Sequence, residues 1–220
     1  MMRKELYLFV DGKPQRTIIR RYEKADFQAL IDVQRVSFPP PFPEELWWNE
    51  EQLLQHVTRF PDGALCAEVD GRIIGSMTSL IVNMDDYGHA HNWETITDSG
   101  YIRNHNGNGN TLYVVDICVI PEYRGSGIGK WLMQSMYETV VELGLSRLLG
   151  GGRMPGYHLH AHEATPEAYL EKVLQGEWKD PVITFLLNCG RMPIGIAHHY
   201  LEDEQSLHSA VLMEWRNPFK

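Results

Sequence analysis

The chain has 220 residues, 43% of them hydrophobic and 22% charged, with a formal net charge of −9. Those fractions are ordinary for a globular domain with a sizeable core, and the acidic balance argues against wrapping of nucleic acid, which needs a basic stripe. No apolar stretch reaches a membrane span, the residues after Met1-Met2-Arg3-Lys4-Glu5 are too few for a signal-peptide core, and Cys66, Cys118 and Cys189 sit in apolar surroundings, so a cytoplasmic protein with reduced, buried thiols is expected.

Leu6 to Val10, the turn Asp11-Gly12-Lys13-Pro14 and Thr17 to Tyr22 predict strand, turn, strand. Phe27, Leu30, Ile31, Val33 and Val36 predict a helix over Asp26 to Phe38, ended by Pro39-Pro40-Pro41-Phe42-Pro43. Glu44 to Phe60 reads as a second helix. Ala64 to Val69, Asp70-Gly71 and Arg72 to Met84 read as a hairpin. Residues 85–110 are a polar insertion with few apolar anchors. A strand over Leu112 to Ile120 and a helix over Ile128 to Leu143 follow. Leu145 to Leu149 is a short strand, expected to end at Gly150-Gly151-Gly152. A second insertion covers 153–179 and includes a helix begun by Thr165-Pro166. Asp180-Pro181 starts a helix to Asn188, and Met192 to Tyr200 and Ser209 to Trp215 are closing strands.

The most informative segment is Arg124-Gly125-Ser126-Gly127-Ile128-Gly129-Lys130, placed where a strand turns into a helix. Alternate glycines leave the backbone bare, so N–H groups converge on one point and the helix N-terminus adds positive potential. That is a cradle for a pyrophosphate, with Arg124 and Lys130 as flanking charges. A nucleoside-triphosphate loop is excluded, because Arg124 stands where its first glycine belongs and Trp131 where its hydroxyl belongs. A dinucleotide fingerprint is excluded because the third glycine comes one residue early.

Preceded by Val119-Ile120-Pro121-Glu122-Tyr123, the segment resembles the acyl-coenzyme A signature of the GNAT acetyltransferases. The element order agrees. Trp93-Glu94-Thr95-Ile96-Thr97, Gly151-Gly152-Arg153-Met154-Pro155-Gly156-Tyr157, Asp180-Pro181-Val182-Ile183-Thr184-Phe185 and Leu212-Met213-Glu214-Trp215 are similar to a GNAT subgroup found alone or fused to a carbon–nitrogen hydrolase domain. The resemblance implies an α/β fold: a mixed, mostly antiparallel sheet, splayed at the cofactor strand and flanked by helices, one domain over 1–220. It implies acetyl-coenzyme A as co-substrate; no metal is expected, because no Cys or carboxylate cluster stands at ligand spacing. The resemblance assigns Ile117, Cys118 and Val119 to the pantetheine arm, the amides of Gly125, Ser126, Gly127, Ile128, Gly129 and Lys130 to the pyrophosphate, and Phe185 and Asn188 to the neighbourhood of the thioester or arm.

Direct acyl transfer to an amine needs a base for the amine, donors for the oxyanion and a proton for the thiolate. Asp116 is the single charged residue of its strand. Strand alternation groups it with Leu112, Val114 and Cys118. It either handles the amine or caps a neighbouring loop. The family's usual tyrosine acid falls at Leu186, so Tyr157, a nearby histidine such as His158, or solvent must replace it. The amide of Val119 is the candidate oxyanion donor. His158, His160 and His162 alternate, and would share one face if extended. They are metal ligands, solvated loop residues, or the source of one base. His89 and His91 lie in the other insertion. Arg153 and Glu94 bind substrate or pair within the core, and Trp47, Trp48 and Trp215 are packing residues. The expected acceptor is a small-molecule amine, and the acidic field mildly favours a cationic one. The insertions cover the pocket or form a homodimer contact. Two other functions fit the same residues: a non-catalytic acyl-coenzyme A module of an amide-hydrolase system, and a protein or peptide N-acetyltransferase.

Overall fold

A computed structural model describes residues 3–88 and 91–220. One eight-stranded sheet has the order β1-β2-β3-β4-β5-β6-β8-β7. The strands are β1 (Arg3–Val10), β2 (Lys13–Arg21), β3 (Ala64–Val69), β4 (Arg72–Val82), β5 (Thr111–Val119), β6 (Arg147–Arg153), β7 (Met192–Ala197) and β8 (Ala210–Arg216). Every neighbouring pair is antiparallel except β5 and β6. The helices are α1 (Phe27–Ser37), α2 (Glu50–Arg59), α3 (Trp93–Thr97), α4 (Ile128–Glu142), α5 (Pro166–Leu174) and α6 (Pro181–Asn188). No helix among the described residues is long and apolar enough to cross a membrane.

Adjacent residues of β4 show which helices cover which face. Thr78 points to Tyr22, itself bonded to His56 of α2, whereas Ser79 bonds Met136 of α4. Thus α2 lies on one face and α4 on the other. Gly152 faces Leu186 and Ile183 of α6, so α6 shares the face of α4. The three cysteines are buried and free.

Two expectations change. The helix expected over Glu44 to Phe60 is broken. A 3-10 turn covers Glu44–Leu46, Trp47 is extended, and α2 restarts behind Asn49. The Asn49 side chain accepts from the Gln52 amide and the Gln52 side chain accepts from the Asn49 amide. That reciprocal cap fixes the start there.

The other change concerns β6, which runs through all three glycines to Arg153. Each pairs with β8, Gly150 with Met213, Gly151 with Leu212 and Gly152 with Val211. The glycines are strand residues whose faces are already occupied. A Cβ on Gly150 would meet Val114, one on Gly151 the Tyr200 ring, and one on Gly152 would lie 2.6 Å from Leu186. Gly151→Ala is therefore expected to destabilise by about 1–3 kcal/mol through overpacking. A thermal midpoint equal to the parent protein's would contradict this.

Candidate active site

The polar 85–110 insertion is tied to the sheet. Asn92 caps α3, and Trp93, Ile96 and Ile102 are buried. Asn106 and Asn110 donate backbone bonds to Ile81 and Val82 of β4. The Trp93 indole donates to the Val115 carbonyl at 2.9 Å.

Val115 is the centre of a β-bulge. Ser79 faces Val114 and Thr78 faces Asp116, so one step on β4 matches two on β5. The extra residue turns the rest of the strand over. Asp116 and Cys118 share the face of Thr78 and Ser76, while Leu112 and Val114 share the other with Ile81 and Ser79. The expected grouping of Leu112, Val114, Asp116 and Cys118 on one face is thus corrected. Plain alternation fails where a residue is inserted.

Beyond the bulge the sheet opens. β5 and β6 pair only from Thr111–Arg147 to Tyr113–Leu149. Then β5 runs on to Val119 and β6 to Arg153 without pairing, leaving a wedge. The Ile120 amide bonds Ile74 of β4 at 3.0 Å. Alternation then points the backbone groups of Ile117 and Val119 away from β4, into the wedge.

At the wedge mouth lies the glycine turn. Gly125 and Gly127 have φ of 80° and 94°, which few other residues adopt. The first helical bond of α4 runs from Trp131 to Gly127, so the amides of Ile128, Gly129 and Lys130 have no partner inside the helix. A Cβ on Gly129 would sit 3.0 Å from the Phe185 ring, placing Phe185 against the first turn of α4. Lys130 is exposed, as is Asn188 at the end of α6. Arg124 is partly committed elsewhere: it donates to the carbonyls of Val119 (3.1 Å) and Ser37 (2.8 Å), tying the cradle to the end of α1.

Asp116 occupies the opposite face. Its Oδ2 is buried and has no hydrogen-bond partner among the described residues. Burial pushes its carboxyl up to about 7, against the pull of the Cys118 thiol, the Ile117 amide and the Arg153 guanidinium. Arg153 is held by Asp203 through two bonds of 2.8 and 2.7 Å and lies over the Phe42 ring at 4.9 Å. Phe42 stacks on Phe38, centroids 4.9 Å apart. Of the two readings of Arg153, pairing within the fold is the one observed, whereas Glu94 is exposed.

Residues 27–162 match the acetyltransferase (GNAT) family. The chain belongs to the GNAT family. The uncharacterised N-acetyltransferase YkwB of Bacillus subtilis (strain 168) is 53% identical over 216 residues, 98% of this chain and 96% of that protein. The probable hydrolase YhcX of the same organism is 40% identical over 204 residues, 92% of this chain but 39% of the hydrolase. Among solved structures, the GNAT-like decarboxylase GphF in complex with isobutyryl-CoA superposes with a TM-score of 0.76 at 21% identity, covering 90% of this chain and 98% of that one. That likeness shows a shared fold.

In this GNAT chain the expected histidine face does not form. Tyr157–Leu159 is a 3-10 turn rather than an extended segment. Alternate residues therefore diverge. His158 bonds the Pro155 carbonyl, His160 stacks on Trp178 at 3.9 Å, and His162 is exposed. Among the described residues no group of three His, Cys, Asp or Glu is placed to hold a metal. His89 lies outside the described residues, while His91 bonds the Tyr113 hydroxyl. The Tyr157 hydroxyl donates to Ala164 within its own loop. Leu186, where GNAT enzymes usually carry tyrosine, is buried against Gly152. Trp48 is buried and Trp215 stacks on Tyr137, as expected of packing residues.

One charged group was not anticipated. Arg191 follows α6, is fully buried, and donates to the Gly150 carbonyl at 3.1 Å and to that of Met213. Burial holds its guanidinium down to about 10. It brings positive charge to the strand where the wedge opens. An arginine in a turn after a helix carries no sequence signal for this.

Proposed function

We propose that this chain is an acetyl-coenzyme A-dependent N-acetyltransferase acting on a small amine by direct transfer in a ternary complex. The whole 220-residue chain is read as one domain, with 85–110 and 153–179 as insertions. The observation that carries the proposal is the joint placement of the wedge and the glycine turn at one end of β5. The 21%-identical neighbour bound to isobutyryl-CoA supports the same kind of donor.

The amides of Gly125 and of Gly127 to Lys130 hold the pyrophosphate, with Lys130 adding charge, whereas the Ser126 amide is turned to the Tyr123 carbonyl at 3.4 Å. The Ile117 backbone and the Val119 amide meet the pantetheine arm as an added strand would, the Val119 carbonyl being held by Arg124, and Cys118 packs beside it. Phe185 and Asn188 flank the arm from α6. The Val119 amide polarises the thioester carbonyl. Asp116, as carboxylate, takes the amine proton. The amine nitrogen bonds the acyl carbon, the carbon–sulfur bond breaks, and the thiolate takes a proton from solvent. No tyrosine is needed for that last step, because a thiolate is a stable leaving group near neutral pH. Tyr157 and His158 remain the alternative acid and base, but their bonds within the 155–164 turn favour Asp116.

Because Asp116 must be ionised, kcat/KM is expected to rise tenfold per pH unit up to about pH 7 and then level off. Thiol release from acetyl-coenzyme A, measured with small amines and with peptides, tests the function. Turnover on small amines is expected. Preference for peptides would make it a protein acetyltransferase. Coenzyme A binding without turnover on any acceptor would make it a binding module. The similarity to the probable hydrolase YhcX favours that module as the second reading.

A further inference from the structure

Behind Asp116 lies a buried polar chain that the mechanism above does not use. His56 of α2 is fully buried. Its Nε2 lies 2.6 Å from the Gly100 carbonyl in the first insertion. Its Nδ1 lies 2.9 Å from the Tyr22 hydroxyl, which lies 2.9 Å from Thr78 Oγ1. Thr78 stands directly across the β4–β5 pair from Asp116, on the same face.

The direction of each bond follows from chemistry. A carbonyl only accepts, so Nε2 carries the proton. Burial keeps this imidazole neutral, its value lowered to about 4. Nδ1 is then an acceptor, and Tyr22 donates to it. The Tyr22 oxygen must accept from Thr78. The Thr78 hydrogen is thus committed to Tyr22 and is not offered to Asp116 across the strand pair.

We infer that His56, Tyr22 and Thr78 are positioning residues whose hydrogen-bond chain commits the Thr78 hydroxyl to Tyr22 and so withholds a donor from Asp116. This extends the assignment of Asp116 as the base. The buried Oδ2 of Asp116 has no hydrogen-bond partner among the described residues, which is what a carboxyl denied the Thr78 donor requires. The other groups facing Asp116 are Arg153 from β6, itself held by Asp203, and Cys118 on its own strand, whose thiol also meets Ser76 of β4 and Ser37 of α1. Behind Tyr22 lies Cys66 of β3, a neutral thiol raised by burial. Arg153 pulls toward the carboxylate, so the chain acts against it.

The test reads the carboxyl itself. Protein labelled at the aspartate carboxyl carbon is titrated by NMR, with Asp116 assigned through Asp116→Asn. Tyr22→Phe frees the Thr78 hydroxyl to turn and donate to Asp116. The midpoint is expected to fall by about one to two pH units, the effect of one hydrogen bond to a charged group. His56→Leu removes the acceptor that orients Tyr22, and a fall in the same direction is expected. It carries the test should Tyr22→Phe fail to fold by near-UV circular dichroism. Adding Thr78→Val to Tyr22→Phe should cancel the fall. A midpoint that stays or rises in both single variants, or a fall that survives Thr78→Val, overturns the inference. The pH profile of kcat/KM then separates the two ideas. A limb that follows the NMR midpoint supports both. A limb that stays while the midpoint moves upholds the chain and removes Asp116 as base.

Discussion

Asp116→Asn is expected to lower turnover by about 10²–10⁴, the usual worth of a positioned base, and at the same time to stabilise the protein above pH 7. The two effects share one cause. A carboxyl near 3.8 in the unfolded chain and near 7 in the folded one binds more protons when folded. Its contribution to stability is fully present below about 3.8 and is lost as pH rises through 7. At pH 8 the folded protein holds a desolvated carboxylate that asparagine removes, a gain of ~1–3 kcal/mol after discounting for relaxation. Coenzyme A affinity should hold, because the arm is proposed to meet backbone groups of β5 and not this side chain. Turnover assays with thermal melts at pH 5 and pH 8 check this. A carboxylate that merely caps a loop would give the opposite pattern: stability lost, and the rate per folded molecule kept.

Gly129→Val is expected to abolish coenzyme A binding. A Cβ there already meets the Phe185 ring at 3.0–3.1 Å, and two further methyl groups would push Phe185 or fill the cradle mouth. Coenzyme A at about one hundred times its dissociation constant should stabilise the parent by about 2.7 kcal/mol. The variant should lose that gain, equivalent to at least a hundredfold weaker binding. Gly127→Val is less clean, because φ there is 94° and any side chain strains the turn. A Gly129→Val protein that keeps the full ligand-induced midpoint shift would remove the phosphate-binding assignment.

The phosphate end of the site was legible because its chemistry lies in the backbone, and backbone freedom is written in glycine spacing. The strand, the turn and α4 stand where the sequence placed them. Asp116 was found as the lone charge in an apolar strand. Its face was not, because a bulge depends on the register with β4 and leaves no mark in Val114-Val115-Asp116. The glycines of β6 looked like a strand end because their reason lies in partners distant in sequence, Val114 of β5, Leu186 of α6 and the Tyr200 ring after β7. His158, His160 and His162 suggested a shared face only under an extended conformation that the 3-10 turn at Tyr157 denies. His56 and Tyr22 lie 34 residues apart, and each is unremarkable on its own.

The bond from the Trp93 indole to the Val115 carbonyl gives the first insertion a task unlike that of a lid. It holds the one kinked peptide on which the orientation of Asp116 depends, while Gly100 in the same insertion anchors the far end of the polar chain. The segment is a splint for the strand beneath it. Loop grafting that treats 85–110 as an exchangeable specificity cassette would therefore alter β5, the strand that carries Asp116, before it altered acceptor choice. A chimera would work only if the donor loop brought its own indole-like prop.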